Sequence, residues 1–191
     1  MTRFWLVRHG PTHEKAITGW RDVPADLSDL AALARLSAYL PENAALVSSD
    51  LLRCVATADA IAQSRRRLAP RASLREFDFG RWDGKTFAEV DAMDPELCRR
   101  FWEGDPSATP PDGESWDMVS KRVSGSLIDL AEQQPETDII VVGHMGMIMT
   151  MIGLCGFRPY EAMGHTIDTL SVTDMTYDGT TWRIGSVNHR A

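Results

Sequence analysis

Residues 4–11 of this chain read FWLVRHGP, and they are the first of three similar stretches from which the fold is predicted. Its first four residues are apolar and favour extended structure, so they predict a buried strand. The glycine and proline that follow Arg8 and His9 predict a turn, because both residue types interrupt regular structure. The sequence therefore predicts a buried strand whose end delivers Arg8 and His9 to a loop.

The same pattern occurs twice more along the chain. Residues 45–50, ALVSSD, predict a strand that ends at polar residues, and a helix follows with Ser49 or Asp50 as its N-cap. Residues 138–146, DIIVVGHMG, predict a third strand and a glycine turn, and the apolar stretch 147–154 predicts the helix after it. Strands that alternate with helices indicate a largely parallel sheet.

Further segments complete the predicted architecture. Apolar residues at helical spacing predict helices within residues 30–40 and 116–130. Residues 103–113, rich in proline and glycine, predict a surface loop at the rim of a ligand site. Residues 169–173 and 181–187 predict a closing strand pair around an Asp-Gly turn. We therefore expect an α/β fold, a three-layer α/β/α sandwich whose mostly parallel sheet carries an antiparallel edge strand.

The composition fits one globular domain spanning residues 1–191, with 43% hydrophobic and 25% charged residues. A net charge of −7 argues against nucleic acid as a partner, because that binding depends on clustered lysine and arginine. Cys54, Cys98 and Cys155 lack CxxC spacing and are expected to be reduced thiols rather than disulfides or metal ligands. No signal segment and no stretch long enough to span a membrane is evident, so we expect a cytoplasmic protein.

Four side chains with phosphate-binding chemistry follow the three predicted strands: Arg8, His9, Arg53 and His144. Ligands of open α/β sheets bind beyond the carboxyl ends of the strands, so we expect these side chains to converge. Guanidinium groups offer planar pairs of donors that match phosphate oxygens, and imidazole adds further N–H groups. The backbone N–H groups of the glycines at positions 10 and 146 are expected to approach the anion closely.

Phosphoryl transfer also needs a nucleophile and a proton for the leaving group. His9 is the candidate nucleophile, because imidazole is uncharged near neutral pH and can attack an anionic phosphoryl group. Glu76 and Asp78 are both candidate proton donors on one face of a predicted strand within residues 74–80. The spacing of Glu76 and Asp78 does not indicate which of the two carboxyl groups is the proton donor.

At this point the sequence resembles the histidine phosphatase superfamily, which includes the cofactor-dependent phosphoglycerate mutases and many small phosphatases. The resemblance spans most of the chain, and the ordered set of motifs is far more specific than RHG alone. The matching segments are residues 6–10 (LVRHG) with Thr12, 18–22 (TGWRD), 48–53 (SSDLLR) with Thr57 and Ala58, Glu76, 79–84 (FGRWDG), 113–115 (GES) and 142–144 (VGH).

The resemblance implies a role for each of the matched side chains. It identifies His9 as the phosphorylated nucleophile and Glu76, rather than Asp78, as the general acid. It implies that Arg8, Arg53 and His144 form the phosphate pocket and take part in catalysis. The remaining predicted substrate-binding residues are Lys15, Thr18 and Gly19. The resemblance implies no metal and no cofactor, and it implies a small-molecule phosphate ester as the substrate.

Two positions near the predicted nucleophile depart from the family pattern. Lys15 stands where the family often has an asparagine that touches the phosphate, and Pro11 stands where it commonly has glutamate. These departures affect the choice of substrate rather than the core chemistry. We expect the leaving-group pocket to involve Lys15, Arg21, Trp82 and the loop of residues 103–113. The sequence specifies neither the physiological substrate nor the oligomeric state.

Simpler structural interpretations exist for several of these residues. Arg53 could form a surface ion pair with Asp50, and Glu76 could pair with Arg75 or Arg81. Aromatic residues dominate protein cores, so packing is the expected role of the three aromatic residues in this region. The three aromatic residues are Phe77, Phe79 and Trp82. We assign no role to the histidines His13, His165 and His189.

Three functions are compatible with the pattern. The favoured hypothesis is a metal-independent phosphatase that forms a phosphohistidine on His9 and uses Glu76 as its general acid and base. A phosphoglycerate mutase would use the same phosphohistidine, but the segment after residue 84 is short and lacks a long basic insertion. A binding protein without catalytic activity is the third hypothesis, and the presence of all the proposed chemical residues argues against it.

Overall fold

The computed structural model describes residues 1–134 and 138–191, and its strands form one mixed sheet. The strand order is β3-β2-β4-β1-β5-β6. Pairs β1/β4, β2/β4 and β2/β3 are parallel, whereas β1/β5 and β5/β6 are antiparallel. The strands are β1 (Thr2–Arg8), β2 (Ala45–Ser48), β3 (Arg66–Arg67), β4 (Ile139–Gly143), β5 (Val172–Tyr177) and β6 (Trp182–Ile184).

Helices cover both faces of this sheet, as the sequence predicts. On β1, Phe4 and Leu6 pack into one hydrophobic cluster, and Trp5 and Val7 pack into another, because successive side chains point to opposite faces. Helices α1 and α2 pack in the second cluster and the other helices in the first. The helices are α1 (Leu30–Tyr39), α2 (Leu52–Ala60), α3 (Phe87–Met93), α4 (Pro95–Trp102), α5 (Trp116–Gln133), α6 (Met145–Gly153) and α7 (Pro159–Met163). The expected three-layer α/β/α sandwich is confirmed.

The segment 74–80 was predicted to be a strand, and that prediction is wrong. Short 3-10 turns at Ala72–Leu74 and Gly80–Trp82 bracket irregular backbone. The guanidinium of Arg122 on α5 donates to the carbonyl oxygens of Ser73, Arg75 and Glu76 at 3.0–3.2 Å. One arginine therefore satisfies carbonyl groups that a strand neighbour would otherwise bind.

Several element boundaries also differ from the prediction. Neither Ser49 nor Asp50 caps α2: its N-cap is Leu51, whose side chain makes no capping bond, and the Ser49 hydroxyl instead accepts from the Leu51 N–H at 3.3 Å. Helix α6 begins two residues before position 147. The closing strand pair lies at Val172–Tyr177 and Trp182–Ile184, around a turn in which Asp178 accepts from the Thr181 N–H.

Helices α3 and α4 were not predicted, although the sequence carries their start signals. Thr86 and Glu89 form a reciprocal capping box at α3. Asp94 caps α4 by accepting from the Leu97 N–H at 3.0 Å, and Pro95 occupies the first turn. These caps depend on local residue types, so they could have been found from the sequence. Among the described helices, none has the length and apolar character needed to cross a membrane.

Candidate active site

A cavity of about 620 Å³ opens beyond the carboxyl ends of β1 and β4. Arg8 is the last residue of β1, and the His9 N–H donates to the Gly143 carbonyl at the end of β4 at 3.0 Å. This bond fixes the start of the loop after β1 against the neighbouring strand. The cavity is lined at one end by four side chains, which we call the polar end: Arg8, His9, Arg53 and Glu76.

The His9 ring is held in one tautomer. Its Nδ1 lies 2.7 Å from the carbonyl oxygen of Gly10, which can only accept, so Nδ1 carries the proton. Its Nε2 therefore has a free lone pair, and the Nε–H of Arg53 donates to it at 3.2 Å. Burial, together with Arg53 and Arg8, lowers the pKa of His9 to about 3. The ring is neutral at physiological pH and is suited to act as a nucleophile.

Arg53 on α2 is held in place by backbone carbonyls. It is 1% exposed, and its two terminal nitrogens donate to the carbonyls of Gly19 at 2.7 Å and Arg21 at 3.1 Å. The surface pair considered from the sequence does not form, because Asp50 binds Arg75 through two contacts of 2.7 Å. The loop around residue 20 thus anchors the guanidinium beside His9.

Arg8 contributes a second guanidinium to the polar end. Its Nη1 donates to the carbonyl of Ile167 at 2.6 Å. Its Nε is buried and has no hydrogen-bond partner in the part of the chain that the structure describes. A buried donor without a partner is costly, so Arg8 has capacity to bind an anion.

Glu76 lies against the N-terminus of α6 and is 7% exposed. Its Oε1 accepts from the N–H groups of Phe77 at 3.0 Å and Met147 at 3.1 Å, and its Oε2 accepts from the Gly146 N–H at 3.0 Å. Burial raises the pKa of Glu76 above its ordinary value, although these N–H groups act in the opposite direction. A buried carboxyl with a raised pKa can hold a proton for transfer.

Asp78, the alternative proton donor, lies outside the cavity lining. Its carboxylate accepts from the Gly80 N–H at 2.9 Å, and its carbonyl accepts from the Glu114 N–H at 2.8 Å. The surface pairs that the sequence allowed for Glu76 are also not formed, since Arg81 binds Asp112 at 2.8 Å. Glu76 is therefore the carboxyl group that the fold places at the cavity.

His144 is placed differently from the sequence expectation. It is completely buried and lies outside the cavity lining, rather than on the wall where it would touch a ligand. Its ring packs edge-on against His9 at a centroid distance of 5.2 Å, and its Nε2 lies 3.3 Å from the Cys54 thiol. His144 is the N-cap of α6, and its side chain makes no capping hydrogen bond. Burial lowers the pKa of His144, so the ring is neutral.

The two glycines expected to offer backbone N–H groups to an anion do not do so. The Gly10 N–H donates to the Thr57 hydroxyl at 3.0 Å, and the Gly146 N–H is bound to Glu76. Gly146 is instead needed for close approach: a Cβ there would lie 2.5 Å from Oε1 of Glu76. The geometry therefore corrects the role of both glycines.

The remaining predicted binding residues divide into two groups. Lys15 and Thr18 line the cavity, whereas Gly19 contributes only its carbonyl to Arg53. Arg21, Trp82 and the loop of residues 103–113 do not line it. Arg21 binds Glu14 at 2.7 Å. Trp82 is fully buried in the core, as its packing role predicts.

Several residues at or next to the cavity were not predicted from the sequence to belong to the site. Phe77 and Phe79 pack in the core as predicted, but they also line the cavity. Thr57 donates to the Arg53 carbonyl at 2.7 Å and accepts from Gly10, so it joins α2 to the loop after β1. Its position one turn after Arg53, within a matched motif, was the available signal. Other apolar lining residues come from the loop after β1 and from helices α3 to α7, and no sequence signal separates them from ordinary core residues.

Comparisons with known proteins identify the family to which this chain is similar. A family model described as histidine phosphatase superfamily (branch 1) matches residues 4–190. Bifunctional protein Rv2228c of Mycobacterium tuberculosis (strain ATCC 25618 / H37Rv) is 33% identical over 195 residues, which cover 93% of this chain and 51% of that protein. This chain thus spans about half the length of that relative.

Two further similarities cover nearly whole chains. Adenosylcobalamin/alpha-ribazole phosphatase of Escherichia coli (strain K12) is 28% identical over 173 residues, which cover 85% of this chain and 83% of that protein. The solved structure of Bacillus stearothermophilus YhfR matches with a TM-score of 0.87 at 26% identity, over 100% of this chain and 98% of that chain.

Proposed function

Because this chain belongs to the histidine phosphatase superfamily, we propose that it hydrolyses a small phosphomonoester through a phosphohistidine on His9. The observation that carries the proposal is the His9 tautomer. The Gly10 carbonyl holds the proton on Nδ1 and leaves the Nε2 lone pair at the cavity, next to Arg53. The relative from Escherichia coli, which is named a phosphatase, supports the same reaction class.

The first chemical step forms the phosphoenzyme. The Nε2 lone pair of His9 attacks phosphorus while the bond from phosphorus to the ester oxygen breaks, and Glu76 gives its proton to the departing oxygen. The Gly10 carbonyl stabilises the positive charge that the ring gains, through the Nδ1–H bond of 2.7 Å. The alcohol leaves, and Glu76 is then ionised.

The second step releases phosphate and restores the enzyme. The ionised Glu76 takes a proton from a water molecule whose oxygen attacks phosphorus, and the bond from Nε2 to phosphorus breaks. His9 regains its lone pair, and Glu76 regains its proton. No step requires a metal ion or a cofactor.

The two guanidiniums bind the phosphoryl oxygens in this proposal. Arg8 lines the cavity and offers guanidinium N–H groups to the phosphate, and Arg53 exchanges its resting bond to His9 for a bond to a phosphoryl oxygen. Fixed positive groups in a buried site stabilise the negative charge on the phosphoryl oxygens in the transition state. His144 acts through its contact with the His9 ring, as a positioning residue.

We also propose that residues 1–191 form one domain, since both hydrophobic clusters pack on a single sheet.

The test measures hydrolysis of 4-nitrophenyl phosphate and alpha-ribazole 5′-phosphate, with EDTA present. We expect His9→Ala to lose at least about 10³-fold in kcat. His189→Ala is the matched control, because His189 lies outside the cavity lining and stacks on Tyr39. Mixing wild-type enzyme with substrate should also give an acid-labile phosphoryl group on His9. Retained turnover by His9→Ala, or loss of activity in EDTA that added metal restores, would contradict the proposal.

A further inference from the structure

The wall of the cavity beyond the polar end is made of large apolar side chains. We call this wall the apolar chamber, and it consists of Phe77, Phe79, Phe101, Trp102, Trp116 and Met149. These residues come from the irregular segment before α3 and from α4, α5 and α6. Hydrolysis of a phosphate group uses only the polar end, so the chamber is left without a role in the reaction itself.

The aromatic rings of the chamber are locked against one another. Phe77 and Phe101 meet edge to face at a centroid distance of 5.8 Å, and Phe79 meets Phe101 in the same way at 6.0 Å. Phe79 also stacks on Trp102 at 6.4 Å. Rings held by such contacts present a preformed surface, and a preformed apolar site loses little freedom when it binds a ligand.

The rim of the cavity carries apolar side chains that face water. Phe87, the first residue of α3, is 57% exposed, and Met145, the first residue of α6, is 37% exposed. The ring centroids of Phe87 and Trp102 are 6.3 Å apart. The apolar surface of the chamber therefore extends to the rim. Covering this surface with an apolar ligand group is favourable, because it removes apolar area from water.

The size and mostly apolar lining of the cavity favour a large apolar leaving group over a small polar one, and the polar lining residues outside the polar end are confined to the loop after β1: Thr12, Glu14, Lys15 and Thr18. A volume of about 620 Å³ falls in the range of about 300–1,000 Å³ that holds drug-sized ligands. Hydroxyl groups placed in the chamber would lose water without gaining partners from phenylalanine or methionine side chains. Two charged residues line the cavity outside the polar end, Glu14 and Lys15, and Glu14 is paired with Arg21 at 2.7 Å.

We propose that the substrate is a phosphomonoester whose leaving group is a flat aromatic system, which the apolar chamber binds while the phosphate lies at the polar end. This inference rests on the proposed phosphatase function and adds the substrate class. An aromatic guest can make the edge-to-face and offset contacts that the chamber rings already make with one another. Phe87 and Trp102 are the specificity-determining residues that cover its outer side.

The test compares esters whose alcohols have similar leaving ability, so that only binding differs. Kinetics are measured with 2-(2-naphthyl)ethyl phosphate, octyl phosphate and glycerol 3-phosphate, all of which release primary alcohols. We expect kcat/KM for the naphthyl ester to exceed that for glycerol 3-phosphate by about 30-fold or more, through burial of apolar area. It should also exceed that for octyl phosphate, because of ring contacts.

Variants locate the preference in the chamber. Trp102→Ala should lower the ratio of kcat/KM for the naphthyl and glycerol esters about 10-fold, and Phe87→Ala about 3-fold. Phe87 is exposed, so its variant is expected to fold even if Trp102→Ala does not. Met93→Ala removes an apolar side chain that is 52% exposed but outside the cavity lining, and it should leave the ratio unchanged.

The outcomes separate this inference from the function on which it rests. If the enzyme hydrolyses glycerol 3-phosphate as well as the naphthyl ester, the substrate class is wrong and the phosphatase proposal stands. A higher kcat/KM for octyl phosphate than for the naphthyl ester would mean that the chamber favours an alkyl chain, and it would also overturn the inference. If no ester is hydrolysed, the phosphatase proposal fails, and the inference fails with it.

Discussion

The polar end and the apolar chamber lie in one cavity but are held in place by different forces. At the polar end, His9, Arg53 and Glu76 each bind backbone carbonyl or N–H groups at 2.7–3.1 Å. In the chamber, Phe79 and Phe101 are fixed by packing at a centroid distance of 6.0 Å. Hydrogen bonds are directional and packing is not, so the chemistry should tolerate far less displacement than the binding of the leaving group.

Glu76→Gln should strongly reduce activity, because it removes the proton donor and leaves the chamber untouched. We expect kcat/KM, which reports the steps through release of the alcohol, to fall about 10³-fold for an alkyl phosphate, whose leaving oxygen needs the proton. The loss in kcat/KM should be only about 10-fold for 4-nitrophenyl phosphate, because its leaving group departs without a proton. Steady-state kinetics with both esters measure the difference, and an equal loss of kcat/KM for both would show that Glu76 is not the acid.

The pH dependence provides a companion measurement for the same residue. The first step requires protonated Glu76, and burial raises the pKa of this group above its ordinary value. For an alkyl phosphate, kcat/KM should therefore fall as the pH rises through that pKa. The Glu76→Gln enzyme should lack this decline. A decline that persists in the variant would assign the titration to another group.

Gly146→Ala tests how little displacement the polar end tolerates. The new Cβ would lie 2.5 Å from Oε1 of Glu76, and the carboxyl would have to move. We expect kcat to fall about 10²-fold, since a small misplacement of a catalytic group is costly. The control is Gly125→Ala in α5, where a Cβ has no described atom within 4 Å. It should keep full activity and gain up to about 1 kcal/mol of stability, and similar kinetics for the two variants would refute the prediction.

His9→Gln tests the cost of burying a neutral imidazole. His9 has a pKa of about 3 in the folded protein, against about 6.5 when unfolded. The unfolded chain therefore binds an extra proton between these values, and stability is lost as the pH falls below 6.5. We expect the free energy of unfolding to depend less steeply on pH in the variant, by about 1.4 kcal/mol per pH unit between about pH 4 and 6. Urea unfolding at several pH values measures both slopes, and coincident slopes would mean that His9 is not protected from protonation.

Thr57→Val should give the smallest effect of the series. It removes the hydroxyl that accepts from the Gly10 N–H at 3.0 Å and leaves that buried group without its partner. We expect a loss of about 1–2 kcal/mol in the free energy of unfolding. Thr180→Val removes an exposed hydroxyl bonded to Asp178 at 2.9 Å and should cost under about 0.5 kcal/mol. Equal losses would mean that the bond from Gly10 to Thr57 contributes nothing beyond a surface contact.

Local sequence patterns predict the sheet and three of the four side chains at the polar end. Short apolar runs that stop at Arg8 and His9, at the start of α2, and at His144 are local patterns, and parallel strands bring such ends to one edge. Those patterns predicted that Arg8, His9 and Arg53 would approach one another. The choice of Glu76 over Asp78 came from family resemblance, because spacing alone treated both carboxyls alike.

Which groups bind one another depends on contacts between segments that are far apart in the chain. The irregular path of residues 74–80 depends on Arg122, which lies far along the chain on α5. His144 is fully buried and contacts the Cys54 thiol at 3.3 Å, and no local sequence pattern indicates a contact between residues so far apart in the chain. The apolar chamber is the clearest case: Phe101 and Trp116 have the same apolar character as any core residue. Whether such a side chain faces the core or a cavity depends on how separate helices pack. The hydrophobic effect is not directional, so apolar character alone does not distinguish the two positions.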